Sequence, residues 1–446
     1  MYKISIPVAA VLSCLLGGCD PGSGLARPHT EQRDNVNCGG CTEPTCAPSL
    51  DEDQCPPDAD EQSFLASMQE ASISDEEFGG VRRSVVVVGG GPVGLLSAIV
   101  AIKSGIESVK IYEKRAEYTR TQAVVLKEET TARLTETLGA PYINELQRLG
   151  YLESSAHGSV MSIRHLEFAL SHYLSELIRS QPHGRQHDFV RGAQISVNAA
   201  GELQRDGHPL SADLLVGADG SRSIVLRAAG LQQKPVTTTV YAGIASFANG
   251  DGEIVSMESV PGTPAGTTKN KAWPLVSRKA AYANMEFSKA RHDGIAGDPS
   301  KVVSDIVDRI ASVETETFGT LENPADIRQF LEGRAQCSNM DAQVFALAFR
   351  TAETGNFRQN GKNRVLIGDA VGTTHFFSGS GLNKGVANVE RLENIFDALR
   401  DGTDLDAACD NYGLQVVADL EAYYETVMPR VNEHLVEPIE ECSADC

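Results

Sequence analysis

The chain has 446 residues, of which 41% are hydrophobic and 22% are charged, and its formal net charge at pH 7 is −21. This length can hold about two domains with a large buried core. The excess of acidic residues argues against nucleic acid and anionic lipid surfaces as partners, because both would repel the protein. The composition favours a well-solvated acidic surface.

The first residues read as an export signal rather than as part of the fold. Lys3 precedes an apolar run from Ile4 to Leu16, which is short for a membrane span. The run ends in Leu16-Gly17-Gly18-Cys19, which resembles the lipobox of bacterial lipoproteins. The resemblance implies that residues 1–18 are a signal peptide, that Cys19 carries a lipid, and that the exported chain is anchored to a bacterial membrane. A plain secretory signal with a coincidental cysteine is the alternative.

Residues 19–80 are rich in Pro, Gly, Asp, Glu and Cys without sustained periodicity, which predicts a flexible tether. Four of its cysteines have the spacing C-x2-C-x4-C-x8-C. In an exported chain they most simply form two disulfides of undetermined pairing, and a zinc or iron–sulfur site is the alternative. The tether cysteines are Cys38, Cys41, Cys46 and Cys55; Cys442 and Cys446 are expected to close a small loop, and Cys337 and Cys409 to be buried thiols.

The first motif after the tether predicts a phosphate-binding turn. Ser84 to Val88 is a β-branched run typical of a parallel strand that is buried on both faces. Gly89, Gly91 and Gly94 then fill G-x-G-x-x-G, and Leu95 to Lys103 has helical spacing. Such glycines make a tight turn, let a pyrophosphate approach the backbone and let helix and strand pack closely.

A second strand, Ser108 to Tyr112, ends at Glu113, 19 positions after Gly94. This is about where a carboxylate that binds a ribose is expected. A glycine-rich turn alone is common in α/β proteins, but here strand, glycines, helix, strand and acid follow in the required order. We therefore predict a dinucleotide site.

A later helix carries a cation at an unusual position. Ser162 is a suitable N-cap, and apolar residues from Leu166 to Leu177 recur at helical spacing. Arg164 falls in the first turn, where a positive charge is unfavourable against the helix dipole. We expect an anionic partner for it, and a cofactor phosphate would serve.

Residues 232–350 differ in character from the segments on either side. Thr237 to Phe247, Ile254 to Val260 and Ala281 to Phe287 read as strands separated by Gly/Pro turns, and Val302 to Val313 reads as a helix. The pattern predicts a mostly antiparallel sheet inserted into the nucleotide-binding fold.

Two further buried strands end in an acid. Leu214 to Gly217 precedes Asp219-Gly220, and Arg364 to Ile367 precedes Asp369. After Asp369 a glycine-rich loop runs into a helix predicted from about Val386 to Leu399. This is a second helix N-terminus suited to an anion, or to negative charge on a flavin ring.

Taken together, these motifs resemble the FAD-dependent monooxygenases of the p-hydroxybenzoate hydroxylase class (group A), which include kynurenine monooxygenase and MICAL-type flavin domains. The resemblance covers about residues 82–400. It implies an α/β fold, with a Rossmann-like FAD-binding domain, an inserted antiparallel β-sheet substrate domain and C-terminal helices. The segments would be 81–231 and 351–400 for the FAD domain, 232–350 for the insertion and 401–446 for the C-terminal helices.

The resemblance also implies roles for single residues. Gly89, Gly91 and Gly94 would hold the FAD pyrophosphate, and Glu113 would hold the adenosine ribose with Arg115 close by. Arg164 would lie against the cofactor, as would Asp219 and Gly220 of the DG motif, which is also implicated in NADPH or NADH use. Asp369 would bind the ribityl chain. The loop beneath the flavin pyrimidine would contain Gly379, Gly381 and Asn383.

The chain departs from the family pattern at several positions. The DG motif normally has Arg seven places after Asp, but Leu226 stands there and Arg227 follows, which weakens the inference of a nicotinamide donor. The other departures are Val371-Gly372 in place of Ala-His, His375-Phe376 where prolines are usual, and Asn388 in place of Asp. FAD binding tolerates these changes more readily than a specific hydroxylation does.

In this class the reduced flavin activates O2 and transfers oxygen to a small, electron-rich and often aromatic substrate. His375 and Phe376 precede the Gly379 loop, so we predict them near the flavin ring as catalytic residues. For His375 a purely structural, hydrogen-bonded role is the alternative.

Other flavoprotein classes are disfavoured by what the chain lacks. No cysteine occurs between Cys55 and Cys337, where disulfide reductases carry a redox pair, and the single Trp273 does not fit the halogenase motif. Export conflicts with the scarcity of reduced nicotinamide outside the cytoplasm. Three interpretations remain open: a monooxygenase with an unusual reductant, an oxidase or dehydrogenase that passes electrons to O2 or quinone, and an FAD-binding module with little turnover.

Overall fold

The computed structural model describes residues 83–435 except 121, 156–157, 183, 249–271, 277–279, 288, 313–340 and 375–378. The predicted signal, Cys19, the tether and the strand predicted over 254–260 lie outside these residues. So do His375, Phe376 and all cysteines except Cys409, which is a buried free thiol as predicted. Burial raises the pKa of the Cys409 thiol to about 12.

Helices are interspersed among the strands along the described residues. The first part contains β1 (Ser84–Val88), α1 (Pro92–Lys103), β2 (Ser108–Glu113), β3 (Ala123–Leu126), α2 (Glu128–Leu138), α3 (Ala140–Arg148), β4 (Glu153–Ser155), β5 (Gly158–Ser162) and α4 (Ile163–Arg179). It continues with β6 (Gln186–Arg191), β7 (Ile195–Val197), β8 (Leu203–Arg205), β9 (His208–Pro209), β10 (Leu214–Gly217) and α5 (Ile224–Ala228). The insertion contains β11 (Gln233–Ala248), β12 (Ala272–Val276), β13 (Ala280–Phe287), α6 (Lys289–Ile295), α7 (Pro299–Ser312) and β14 (Asp341–Ala352). The last part contains β15 (Asn356–Gln359), β16 (Lys362–Leu366), a 3-10 turn (Gly368–Ala370), β17 (Gly372–Thr373), α8 (Ser380–Asp401) and α9 (Leu405–Leu435).

A six-stranded sheet forms the centre of the predicted nucleotide-binding domain, in the order β15-β16-β10-β1-β2-β6. All its neighbouring strands pair in parallel except β15, which is antiparallel to β16. Val85 to Val88 of β1 are at most 4% exposed, as expected for a central strand covered on both faces. Helix α1 follows directly and packs against α4 and α8.

The insertion is an antiparallel sheet in the order β12-β13-β11-β14-β17. Strand β17 follows the 3-10 turn after β16 and pairs with β14 through Arg350 and Thr373. This pairing ties the insertion to the end of the parallel sheet. The α/β fold with an inserted antiparallel domain is therefore as predicted, and it brings the inner face of β14 close to the carboxyl ends of β1 and β16.

The predicted start of the last glycine-rich helix is wrong. We predicted a loop as far as about Val386, whereas α8 begins at Ser380, so that Gly381 and Asn383 lie in its first turn. Glycine costs a helix only about 1 kcal/mol relative to alanine. The Asn383 side chain offsets that cost, because its Nδ2 donates to the Gly379 carbonyl at 3.0 Å.

Within the described residues, no helix is both long enough and apolar enough to cross a membrane.

Candidate functional site

Two of the three fingerprint glycines, Gly89 and Gly94, are required by the backbone around them. Gly89 has φ +106°, and a Cβ at Gly94 would lie 1.9 Å from the Gly89 carbonyl oxygen. A Cβ at Gly91 would lie 3.1 Å from Nη2 of Arg120. The turn therefore places the N-terminus of α1, which starts at Pro92, at the edge of an open cavity. This is the geometry in which backbone N–H groups receive a phosphate.

Glu113 is a buried carboxylate with an extensive set of donors. It is 3% exposed. Its Oε2 accepts from the Gly90 amide at 2.7 Å, and its Oε1 accepts from Arg115 through the amide at 3.0 Å and Nε at 2.9 Å. Burial alone would raise the pKa of Glu113, but these hydrogen bonds and the Arg115 charge outweigh it and hold the pKa below its usual value. Glu113 is thus an ionised acceptor, and Oε2 keeps a lone pair for a ribose hydroxyl.

Two cavities meet beside this turn. The first, of about 530 Å³, is lined by the ends of β1 and β2 and by the Asp219 segment. The second, of about 420 Å³, lies between Pro92-Val93, β3, the first turn of α8 and the inner face of β11 and β14. We call the two together the dinucleotide groove. Their shared lining residues are Gly91, Arg120, Ala218, Gly220 and Asp369.

Asp219, which follows β10, orders the wall of the first cavity. Its Oδ2 accepts from the Ile224 amide and, at 3.3 Å, from the Val225 amide at the start of α5. Its Oδ1 is buried and has no hydrogen-bond partner. Burial raises the pKa of Asp219 against these hydrogen bonds. Gly220 beside it has φ +80° and lines both cavities.

Asp369 lies where the two cavities join. Burial raises the pKa of its carboxyl, and the Arg120 charge opposes that shift. Its backbone is held in place, because Gln233 Nε2 donates to the Asp369 carbonyl at 2.7 Å. Asn388, the residue that departs from the family pattern, accepts from the Gly368 amide at 3.1 Å. An uncharged amide thus supports this turn.

The first turn of α8 borders the second cavity. Its N-cap Gly379 has φ +58° and provides no side-chain cap. A Cβ at Gly381 would lie 3.1 Å from Oδ1 of Asp369, so the Asp369 carboxylate approaches the helix backbone closely. A helix N-terminus of this kind favours negative charge nearby.

The Asn383 side chain makes its hydrogen bonds to neighbouring protein segments. We predicted this residue in the loop beneath the flavin. Its Oδ1 accepts from the Lys127 amide and from Thr130 Oγ1, and its Nδ2 donates to the carbonyls of Val125 and Gly379. All four partners belong to the protein. Asn383 therefore clamps the α8 N-terminus to the β3–α2 junction.

The two predicted arginines lie in different surroundings. Arg115 bridges Glu113 and Glu167, with Nη2 3.5 Å from Glu167 Oε1. Arg164 is in the first turn of α4, behind the Ser162 cap as predicted, and its guanidinium carbon lies 5.7 Å from the centre of the Phe168 ring. The cation that lines both cavities is Arg120.

Sequence reasoning missed Arg120 and its partner Glu167. Arg120 follows β2 in a stretch without periodicity, so no local signal marked it. Glu167 did have a signal, because it is an acid on the face of α4 that also carries the buried Leu170 and Leu174. A charge on a buried helix face requires a partner.

The groups in the groove fit FAD. The glycine cradle and the α1 N-terminus suit a pyrophosphate, and Glu113 suits a ribose. Asp219 Oδ1 and Arg120 Nε are buried polar atoms without protein partners, as expected of groups that bind a ligand. Within the described part of the chain, no group of three or more His, Cys, Asp or Glu side chains has a geometry suited to a metal ion.

Comparison with known families gives a match over most of the folded region. The FAD binding domain family matches residues 82–142 and 183–418, which is more than half of the chain. No curated protein sequence matches the chain.

Solved structures with the same fold were also found. 2-Methyl-3-hydroxypyridine-5-carboxylic acid oxygenase has a TM-score of 0.56 at 16% identity, over 80% of this chain and 94% of that one. p-Nitrophenol 4-monooxygenase from Pseudomonas putida has a TM-score of 0.55 at 16% identity, over 80% and 91%. A Diels-Alderase of pyrroindomycin biosynthesis has a TM-score of 0.51 at 17% identity, over 78% and 75%. At these identities the likeness concerns the fold alone.

Proposed function

The chain belongs to the FAD binding domain family and is an FAD-dependent oxidoreductase, and from that premise we propose that it is a flavin monooxygenase. It would hydroxylate a small organic substrate with O2 and electrons from NADPH or NADH. The observation that carries this proposal is the second cavity of the groove. One of its walls consists of the elements that would bind FAD, and the opposite wall is the sheet of the insertion.

Within the groove, each element has a role towards FAD. The Gly91 turn and the α1 N-terminus would hold the pyrophosphate, Glu113 the adenosine ribose, and Asp369 a hydroxyl of the ribityl chain. The first turn of α8 would stabilise negative charge on the flavin ring. Bound FAD supplies the electron transfer and the activation of O2.

The sheet wall suits a small substrate that must be kept from water. Ile244, Phe345 and Leu347 present apolar groups to the cavity, and Gln343 adds an amide that can orient a polar substituent. An apolar wall with a few polar groups to fix orientation is typical of sites for small molecules. Two of the structural neighbours are named as oxygenases of a hydroxypyridine carboxylic acid and of p-nitrophenol, which supports an aromatic substrate.

The test is oxygen incorporation by the full chain. FAD-loaded protein is supplied with NADPH or NADH, ¹⁸O2 and a panel of phenols and aminoaromatic or hydroxyaromatic acids. A product that carries one ¹⁸O atom supports the monooxygenase. Substrate oxidation with H2O2 and no ¹⁸O in the product would identify an oxidase, and flavin that no donor reduces would favour an FAD-binding module without turnover.

We also propose that the chain is exported and anchored through a lipid on Cys19. The support is the sequence of the signal alone. In a bacterial host, labelled fatty acid should be incorporated into the native chain and not into a Cys19→Ser variant. Equal labelling of both would contradict the anchor.

A further inference from the structure

We propose that Glu167 is a positioning residue for the cofactor pyrophosphate and that it acts by holding the Arg120 guanidinium beside the Gly91 turn. This role depends on FAD binding, which is part of the proposed function, and not on the oxygen-transfer reaction. Binding measurements therefore test it whether or not a substrate is hydroxylated.

Glu167 is a buried charge that the nucleotide fingerprint does not explain. It lies on α4 and is 0% exposed. Its Oε1 accepts from Nη2 of Arg120 and lies 3.5 Å from Nη2 of Arg115, while its Oε2 is buried without a partner. Leaving water is costly for a carboxylate even when it is paired. The buried carboxylate lies where α4 packs behind the dinucleotide groove, so this desolvation cost falls next to the proposed cofactor site.

Helix α4 holds Arg120 at two points. The Arg164 amide donates to the Arg120 carbonyl at 2.9 Å, and the Ile163 amide donates to the Gln122 carbonyl at 2.8 Å. Glu167, on the same helix, holds the guanidinium. The side chain of Arg120 is 37% exposed and would otherwise be free to turn towards solvent. The same helix therefore fixes both the backbone and the charged end of this arginine.

The fixed guanidinium faces the place where the pyrophosphate is expected. Arg120 Nη2 lies 3.1 Å from the position that a Cβ at Gly91 would occupy, and Arg120 lines both cavities. Its Nε is buried without a partner. Glu167 thus holds the Nη2 edge of the guanidinium beside the Gly91 turn, and Nε has no protein partner. A pre-positioned fork binds phosphate more tightly than a mobile one, because less side-chain entropy is lost on binding.

The charges around Glu167 come from several elements. Glu113 and Arg115 lie at the end of β2, Arg120 and Tyr118 lie in the segment that follows, and Arg115 and Arg120 face the carboxylate directly. Burial raises the pKa of Glu167, and the two guanidinium groups oppose that shift. Because the pKa of Glu167 is raised, measurements at pH 8 favour the ionised, paired carboxylate more than measurements at lower pH.

The experiment is a double-mutant cycle on FAD affinity, measured with the full apoprotein at pH 8 by quenching of flavin fluorescence. Glu167→Met should weaken FAD binding about tenfold or more, as should Arg120→Met, because a charge-assisted contact is lost or misplaced. The double variant should bind no more weakly than the weaker single variant. Glu167→Gln keeps an oxygen acceptor for Arg120 and should stay within about threefold of the native protein.

Smaller ligands show whether the effect belongs to the pyrophosphate. Glu167→Met should weaken binding of ADP by a similar factor and leave binding of riboflavin unchanged. Glu176→Gln is the matched control, because Glu176 lies on the same helix and pairs with Arg179 at the exposed end. Its FAD affinity should equal that of the native protein.

Three results would overturn the proposal: an equal effect of Glu167→Met in the Arg120→Met background, an equal loss of riboflavin affinity, or tighter FAD binding. If Glu167→Met does not fold, Arg120→Met carries the test. It should lose ADP affinity about tenfold without losing riboflavin affinity. Glu167→Gln should then have no further effect in that background, and any further loss would also overturn the role.

Discussion

Replacing Asn383 by Asp exchanges one side-chain atom, Nδ2, for an oxygen and should loosen the α8 N-terminus. The native Oδ1 accepts from the Lys127 amide at 2.9 Å and from Thr130 Oγ1 at 2.6 Å. The native Nδ2 donates to the carbonyls of Val125 at 2.9 Å and Gly379 at 3.0 Å. The variant keeps both acceptor contacts. It loses both donors, and a carboxylate oxygen then faces two carbonyl oxygens.

The expected loss of stability follows from the number of hydrogen bonds that the variant loses. Two lost hydrogen bonds contribute about 1 kcal/mol each. A negative charge at a position that is 8% exposed, against two carbonyls, adds about 1–3 kcal/mol. We therefore expect the free energy of unfolding to fall by about 3–5 kcal/mol at pH 8. At pH 5 the deficit should be smaller, because burial and the carbonyls raise the pKa of the new carboxyl and protonation restores one donor.

Urea unfolding followed by far-UV circular dichroism at pH 8 and pH 5 measures both effects. Asn411→Asp is the matched control, since exposed Asn411 only accepts a hydrogen bond, from Gln415 at 3.3 Å. It should change stability by less than about 0.5 kcal/mol. If Asn383→Asp were as stable as this control, or if its deficit were the same at both pH values, the clamp would be refuted.

Three further predictions concern single residues. Gly94→Ala should destabilise the protein by about 1–3 kcal/mol or more and abolish FAD retention, because its Cβ would lie 1.9 Å from the Gly89 carbonyl oxygen. Thermal unfolding measures the loss, and Gly294→Ala is the control, because a Cβ there would have no heavy atom within 4 Å. Burial lowers the pKa of His187 to about 4. The free energy of unfolding should therefore fall by up to about 3 kcal/mol as the pH drops from 6.5 towards 4. Urea titrations across this pH range should show a smaller loss for His187→Leu. Glu113→Gln should weaken FAD binding about tenfold in a fluorescence titration, and unchanged affinity would contradict its ribose role.

The parts of the site that were predicted from sequence are those in which neighbours in the chain are also neighbours in space. The order of strand, Gly89 turn, helix and Glu113 is one βαβ unit, and its geometry follows from the backbone. The acids Asp219 and Asp369 line one cavity for a similar reason. Parallel strands end at one edge of a sheet, so residues just after each strand meet there.

The parts that sequence reasoning missed depend on contacts between distant segments. The sequence singled out Arg164, and its contact with the cofactor stays a prediction. The arginine that lines the groove is Arg120, which no local pattern marked. Asn383 was assigned to the flavin loop by its motif, which stays a prediction, but the hydrogen bonds of its side chain could not be foreseen. Its four partners lie on β3, α2 and the Gly379 turn, and the pairing of these segments is decided by tertiary packing.

The most direct test of the central claim is the visible absorption spectrum of the purified full chain, recorded during an anaerobic titration with NADPH and then after admission of O2. We predict flavin bands that bleach with the donor and return with oxygen. A chain that shows no flavin bands, even after incubation with excess FAD, would contradict the account.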